Sequence, residues 1–123
     1  VTDFDETPLV EPGRRATALR NVTATLDVFA THFPRFPVLP GVLLLEDMVW
    51  LARLAAPGGA TRWRVADVSR VQFRRAVQPG DQVRFTAEVV DSRDTEVSCR
   101  VDATVDGRVV AGARRVRLAR RRT

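Results

Sequence analysis

One segment limits the possible folds more than any other. Between Gly41 and about Ala56 the chain reads as its only long helix. Val42, Leu43, Leu44, Leu45, Met48, Val49, Trp50, Leu51, Ala52, Leu54 and Ala55 leave it almost no polar face. A helix that is apolar all round belongs inside a protein, so this one is expected to be buried on nearly every side. Pro57-Gly58-Gly59 stops it, and Pro40 suits its first helical position, where a missing N–H has no partner to lose. Glu46, Asp47 and Arg53 are its only charges. A buried carboxylate without a partner is costly, so at least one of these acids needs a physical reason to be there.

Around the helix the sequence reads as sheet. Ala16 to Leu26 is a strand rich in Val and Thr, entered from the turn signal Glu11-Pro12-Gly13. A strand from about Arg62 to Val77, broken or bent, is turned back by Pro79-Gly80-Asp81. Val83, Phe85, Ala87 and Val89 alternate with Arg84, Thr86, Glu88 and Val90, the pattern of a half-buried strand. Val97, Cys99, Val101, Ala103 and Val105 repeat it. Asp106-Gly107 is a strong two-residue hairpin signal leading into a strand from Arg108 to about Leu118. One helix and roughly five strands, mostly in hairpins, predict an α+β fold with a curved antiparallel sheet wrapped around a long central helix. At 123 residues, with no internal repeat or low-complexity linker, residues 1–123 are expected to form a single domain.

The balance of charges limits the partners. All twenty basic residues are arginine, the formal charge is +5, and the densest block is Arg114 to Arg122. Such a surplus attracts something acidic, although arginines that merely solvate strand faces give the same total. The block alternates like a strand before ending in what reads as a loose tail, and no aromatic residue is interleaved for base stacking, so nucleic acid is not the expected partner. The one cysteine, Cys99, alternates with Val97 and Val101 as a small buried residue; it can make no internal disulfide and no Cys-based metal site. No stretch approaches the ~18 apolar residues of a membrane span, and no export signal is read at residues 1–6, so a cytoplasmic protein is expected.

The chemistry concentrates in one short segment. The single histidine, His32, opens the loop His32-Phe33-Pro34-Arg35-Phe36-Pro37-Val38-Leu39-Pro40-Gly41, whose prolines stiffen it. Glu46 follows, about two turns into the helix. A neutral imidazole near a carboxyl in apolar surroundings forms an acid/base pair that can work at neutral pH. The backbone N–H groups of Gly41 and Val42 stand at the helix start, where unpaired donors and the dipole favour a developing oxyanion. Base, acid and oxyanion donors together suit proton abstraction beside a carbonyl with loss of a leaving group. A competing structural reading pairs Glu46 with Arg53, one heptad along the same face. Asp47 reads as pointing to solvent or capping a charge cluster.

The segment His32 to Met48, HFPRFPVLPGVLLLEDM, closely resembles the signature of the beta-hydroxyacyl-acyl carrier protein dehydratases of the FabZ type, H-F-P-x-x-P-x-x-P-G-V-L-x-x-E-A-M-A-Q. Arg20-Asn21-Val22-Thr23 before it and the stretch Val71 to Gln82 after it agree in order and spacing. The resemblance implies a hot-dog fold paired across a dimer into one continuous sheet, with the histidine of one subunit working beside the glutamate of the other. It implies that His32 removes the α proton of a 3-hydroxyacyl thioester, that Gly41 and Val42 stabilise the enolate-like oxygen, and that Glu46 protonates the departing hydroxyl. It implies no metal and no redox cofactor, the substrate being carried on the phosphopantetheine of an acidic acyl carrier protein. On position alone, Arg35, Arg74 and Arg75 are its candidate docking contacts. Phe33 and Phe36 read as loop packing and as candidates for the tunnel mouth.

The chain departs from that pattern at named positions. Thr31 stands where family members carry glycine, Ala76 where they carry proline, and the leading Leu-Pro-His-Arg segment is missing. Trp50 replaces the family's glutamine one turn beyond Glu46, on the face expected to line the substrate tunnel. These differences point toward a dedicated polyketide-type pathway or one subunit of a mixed dehydratase pair rather than housekeeping fatty-acid synthesis. A hot-dog thioesterase and a non-catalytic scaffold subunit are the alternatives.

Overall fold

The computed structural model describes residues 4–23 and 39–122. Among the described residues six strands form one antiparallel sheet: β1 (Leu9–Glu11), β2 (Arg15–Asn21), β3 (Trp63–Phe73), β4 (Gln82–Ser92), β5 (Glu96–Val105) and β6 (Arg108–Arg120). Their spatial order is β1-β2-β4-β5-β6-β3. Between β2 and β3 runs the helix α1 (Gly41–Ala55), which packs across the sheet chiefly on β4, and also on β2 and β5.

Alternation sets the sheet's inner face. Val83, Phe85 and Ala87 of β4, Val97, Cys99, Val101 and Ala103 of β5, and Ala113, Val116 and Leu118 of β6 are fully buried. They meet Leu44, Met48, Leu51, Ala52 and Ala55 of the helix. The expected β4–β5–β6 meander is present. Asp106 and Gly107 close its second hairpin with φ of 50° and 78°, the doubly left-handed backbone that a type I′ turn needs.

Several boundaries differ from the sequence reading. The strand expected over Ala16–Leu26 is Arg15–Asn21 among the described residues, its last three expected positions lying outside them. Beyond it the N–H of Val22 donates to the Asp81 carbonyl, while its own carbonyl accepts from Gly80, tying the chain to the Pro79-Gly80-Asp81 turn. A sixth strand, β1, precedes the Glu11-Pro12-Gly13 turn. β3 carries the expected irregularity as a register shift between Val65 and Asp67, and it ends at Phe73 rather than Val77. Arg74 and Arg75 there turn their N–H groups onto the one carbonyl of Val110, at 2.7 and 3.3 Å. Pro40 is the residue before the helix, not its first position; extended at ψ 139°, it accepts from the N–H of Leu43. The basic C-terminus is strand up to Arg120, and the Arg121 N–H donates to the Arg62 carbonyl at 2.7 Å, so the loose tail read there is an ordered end.

The largest correction concerns the helix. It is buried on one face rather than all round. Leu44, Asp47, Met48, Leu51, Ala52 and Ala55 face the sheet, whereas Val42 is 61% exposed, Glu46 is exposed, and Val49, Trp50 and Arg53 are half-buried. One sheet can cover only one side of a cylinder. The apolar residues on the other side lie at helical spacing as a stripe turned away from it.

Candidate active site

Helix α1 projects two neighbouring carboxylates in opposite senses. Asp47, read from the sequence as solvent-facing, is 2% exposed. It lies three residues from Leu44 and four from Leu51, within the sheet-facing arc. Arg20 of β2 reaches it, with Nε donating to Oδ2 at 2.5 Å and Nη2 to Oδ1 at 3.0 Å. The guanidinium also lies 5.3 Å from the ring centre of Phe4, which in turn packs on Phe85 at 5.9 Å. Burial pushes the Asp47 carboxyl above its ordinary value, and the bonds from Arg20 offset only part of that. This ion pair, absent from the sequence reading, pins the helix to β2.

Glu46 has the opposite setting. Among the described residues its side chain makes no hydrogen bond or ion pair, and it stands on the outward stripe with Val42 and Trp50 one turn to either side. The deeply placed acid expected from the sequence is therefore exposed within this chain. The alternative pairing of Glu46 with Arg53 is not formed. The Arg53 guanidinium instead donates to the carbonyls of Trp63 at 3.0 Å and Ala60 at 2.9 Å, and lies 5.0 Å from the Trp50 ring centre.

The helix start lies about 7.5 Å along the axis from Glu46, at 1.5 Å per residue. Among the described residues the N–H groups of Gly41 and Val42 have no acceptor, and the first turn carries no acidic side chain to neutralise its dipole. Leu39, Gly41, Leu44 and Phe73 form a cleft of about 370 Å³ there, with Arg74 and Arg75 along its side. Gly41 leaves room for its neighbour: a Cβ would sit 3.0 Å from two carbons of the Phe73 ring, which would have to give by a few tenths of an ångström. Phe73, half-exposed and close to the helix start, lines this cleft and was not singled out from the sequence. Its signal was an aromatic at the strand end directly before Arg74.

His32, Phe33, Arg35 and Phe36, together with Thr31, lie outside the described residues. Of the remaining expected site residues, the structure brings Gly41, Val42, Glu46 and Trp50 onto one helix. It sets Arg74 and Arg75 beside that helix's N-terminus, exposed, with Arg74 Nη2 donating to Gln72 Oε1 at 3.0 Å. Around the same corner, on the outer face of the sheet, Arg70, Arg74, Arg100 and Arg114 line a groove of about 690 Å³.

A helix laid across a curved antiparallel sheet is the arrangement of the hot-dog fold. The model of the ApeI-like dehydratases matches residues 9–113. The 3-hydroxyacyl-[acyl-carrier-protein] dehydratase FabZ of Listeria monocytogenes is 37% identical over 108 residues, covering 85% of this chain and 75% of that protein. Among solved structures, the dehydratase heterocomplex ApeI:P from Xenorhabdus doucetiae superposes with a TM-score of 0.72 at 23% identity, covering 88% of this chain and 89% of that one. Protein PH1136 from Pyrococcus horikoshii gives 0.77 at 15% identity, covering 95% and 83%. The chain belongs to the ApeI-like, FabZ-type dehydratase family.

Proposed function

We propose that the protein dehydrates a 3-hydroxyacyl thioester, delivered by an acyl carrier protein, to the trans-2-enoyl thioester. The observation that carries this reading is the unpaired Glu46 carboxylate between Val42 and Trp50 on the outward helix face, a little over one turn from the open N–H donors of Gly41 and Val42. Those donors receive the thioester oxygen, whose negative charge grows as the α proton leaves. His32 takes that proton. Glu46, in its acid form, returns a proton to the 3-hydroxyl, the C–O bond breaks, and water departs as the double bond forms between the α and β carbons. The thioester itself acidifies the α position, so these side chains suffice.

A second dehydratase chain on the outward stripe completes the site. It would cover Val42, Val49 and Trp50 and take Glu46 out of water. It would also bring each His32 beside the partner subunit's Glu46. The ApeI:P structure is described as a heterocomplex, which supports a paralogous chain as the partner as well as a second copy. The acidic carrier protein docks against the arginines flanking the cleft, Arg74 and Arg75 with Arg35, and its phosphopantetheine arm enters past Phe73. We place the reaction in fatty-acid or polyketide-type synthesis in the cytoplasm.

Hydration of a crotonyl thioester by the purified protein tests the assignment. Activity lost in both His32→Ala and Glu46→Gln supports it. Mixing the two inactive variants should regenerate activity through hybrid dimers, and no recovery after proven subunit exchange would overturn the shared site. Release of free thiol without 3-hydroxyacyl product would instead identify a thioesterase. Inactivity alone with rescue by a paralogue marks one half of a mixed pair.

A further inference from the structure

Trp50 is unusual in how firmly it is held. It sits four residues after Glu46 on the same outward stripe, and a helical side chain leans back over the turn before it, so the indole covers the surface next to Glu46. The Arg53 guanidinium stacks over it with 5.0 Å between Cζ and the ring centre. Arg53 is itself fixed at two points, donating to the Ala60 carbonyl at 2.9 Å and the Trp63 carbonyl at 3.0 Å. Those carbonyls belong to the short turn and the first residue of β3. Trp63 is 3% exposed, and its indole N–H donates to the Pro57 carbonyl at 2.7 Å. The bracing therefore runs from the buried core, through Arg53, to the Trp50 ring. A lone half-buried tryptophan could swing aside for a ligand; one under a guanidinium anchored to two carbonyls cannot do so cheaply.

Position along the helix gives this rigidity a consequence. The thioester oxygen belongs at the helix start and the 3-carbon at Glu46, so the acyl chain points onward toward Trp50. From Glu46 to Trp50 the helix rises only about 6 Å, room for a handful of methylene groups. We infer that Trp50, held by Arg53, closes the far end of the acyl pocket and restricts this enzyme to short 3-hydroxyacyl chains. The inference rests on the dehydratase reading of the site. Trp50 is the specificity-determining residue, and Arg53 is a positioning residue acting through it.

Wild-type protein, Trp50→Gln, Trp50→Phe and Arg53→Gln are compared on carrier-bound 3-hydroxyacyl chains of four and ten carbons, measuring kcat and KM separately. Wild type should prefer the short chain by tenfold or more. Trp50→Gln should raise the ten-to-four ratio of kcat/KM at least tenfold, mainly through KM for the long chain. Trp50→Phe and Arg53→Gln should raise it by smaller factors. Trp50→Phe and Arg53→Gln keep the test available should Trp50→Gln not fold. Equal wild-type turnover of both lengths, or variants that lower both activities in parallel, would overturn the specificity role while leaving the dehydratase intact. Turnover of neither length by wild type, alone or with a paralogous partner chain, overturns the dehydratase reading and this one with it.

Discussion

Glu46 and Asp47 are neighbours in the chain and chemical near-equals, yet the helix gives them opposite settings. A rotation of about 100° separates successive side chains. That step places Asp47 among Leu44, Met48 and Leu51, where only a bidentate arginine makes a carboxylate tolerable. It places Glu46 on the side the sheet never reaches. The acid in the interior serves attachment, because every acceptor it has is aimed at Arg20. The acid outside keeps its oxygens free, and a group without partners is the one able to exchange a proton with a substrate. Within one helix, then, the paired acid is the structural one and the unpaired acid is the one proposed for chemistry.

The contrast breaks most sharply by substituting each acid in turn. Glu46→Gln should lower dehydration by about 10²–10⁴-fold. The same change should alter stability by no more than about 0.5 kcal/mol, read from chemical denaturation. A large stability loss would mean that Glu46 is structural after all. Asp47→Ala should do the reverse, costing about 2–3 kcal/mol, the low side for a broken buried pair because Arg20 still reaches water. Replacing the pair together, Arg20→Met with Asp47→Leu, should recover most of that loss; a double variant as unstable as the single one would show that the interaction is not a closed pair.

Acid titration sharpens the difference more gently. Burial holds the Asp47 carboxyl above its ordinary 3.8. A carboxyl whose pKa is higher folded than unfolded binds protons more readily in the native state. Its contribution is full in acid and is lost as pH rises through the folded value. The stability of wild type minus that of Asp47→Asn should therefore decline from about pH 4 upward before levelling off. Asp67, on the outer face, has the opposite sign. Arg117 holds its carboxyl below the ordinary value, so its contribution is present above 3.8 and fades as pH falls through the depressed value.

The smallest effect belongs to the sheet-facing side as a whole. Cys99 is fully buried with its thiol toward the Ala52 carbonyl at 3.8 Å, and burial pushes it up to about 12. Thiol-specific alkylation of native protein should proceed no faster than global unfolding. Rapid labelling would mean that the helix lifts from the sheet.

Much of this was legible in the residues. The helix was expected from Gly41 to about Ala56 and runs to Ala55, and Asp106-Gly107 forms the turn its dipeptide demands. Periodicity failed where it had to. A count of apolar residues cannot distinguish a helix face covered by its own sheet from one left for another chain, so burial on every side was expected and one side was found. The Arg20–Asp47 pair was within reach. Arg20 shares strand parity with the buried Ala16 and Ala18, and Asp47 shares helical phase with Leu44 and Leu51. Each was legible separately, but the meeting of two elements 27 residues apart was not. The free state of Glu46 depended on Arg53, whose choice of the Ala60 and Trp63 carbonyls over the nearby acid is set by a turn that no spacing rule describes.

The order of the strands also governs how the chain assembles. Strands β4, β5 and β6 follow one another through short connections, so their pairings close small loops and can form early. Strands β2 and β3 come before them in the chain but attach to opposite margins of that meander, β2 on β4 and β3 on β6. Neither has a template until the C-terminal half exists. During synthesis, then, helix α1 leaves the ribosome before strands β4 and β5 on which it packs.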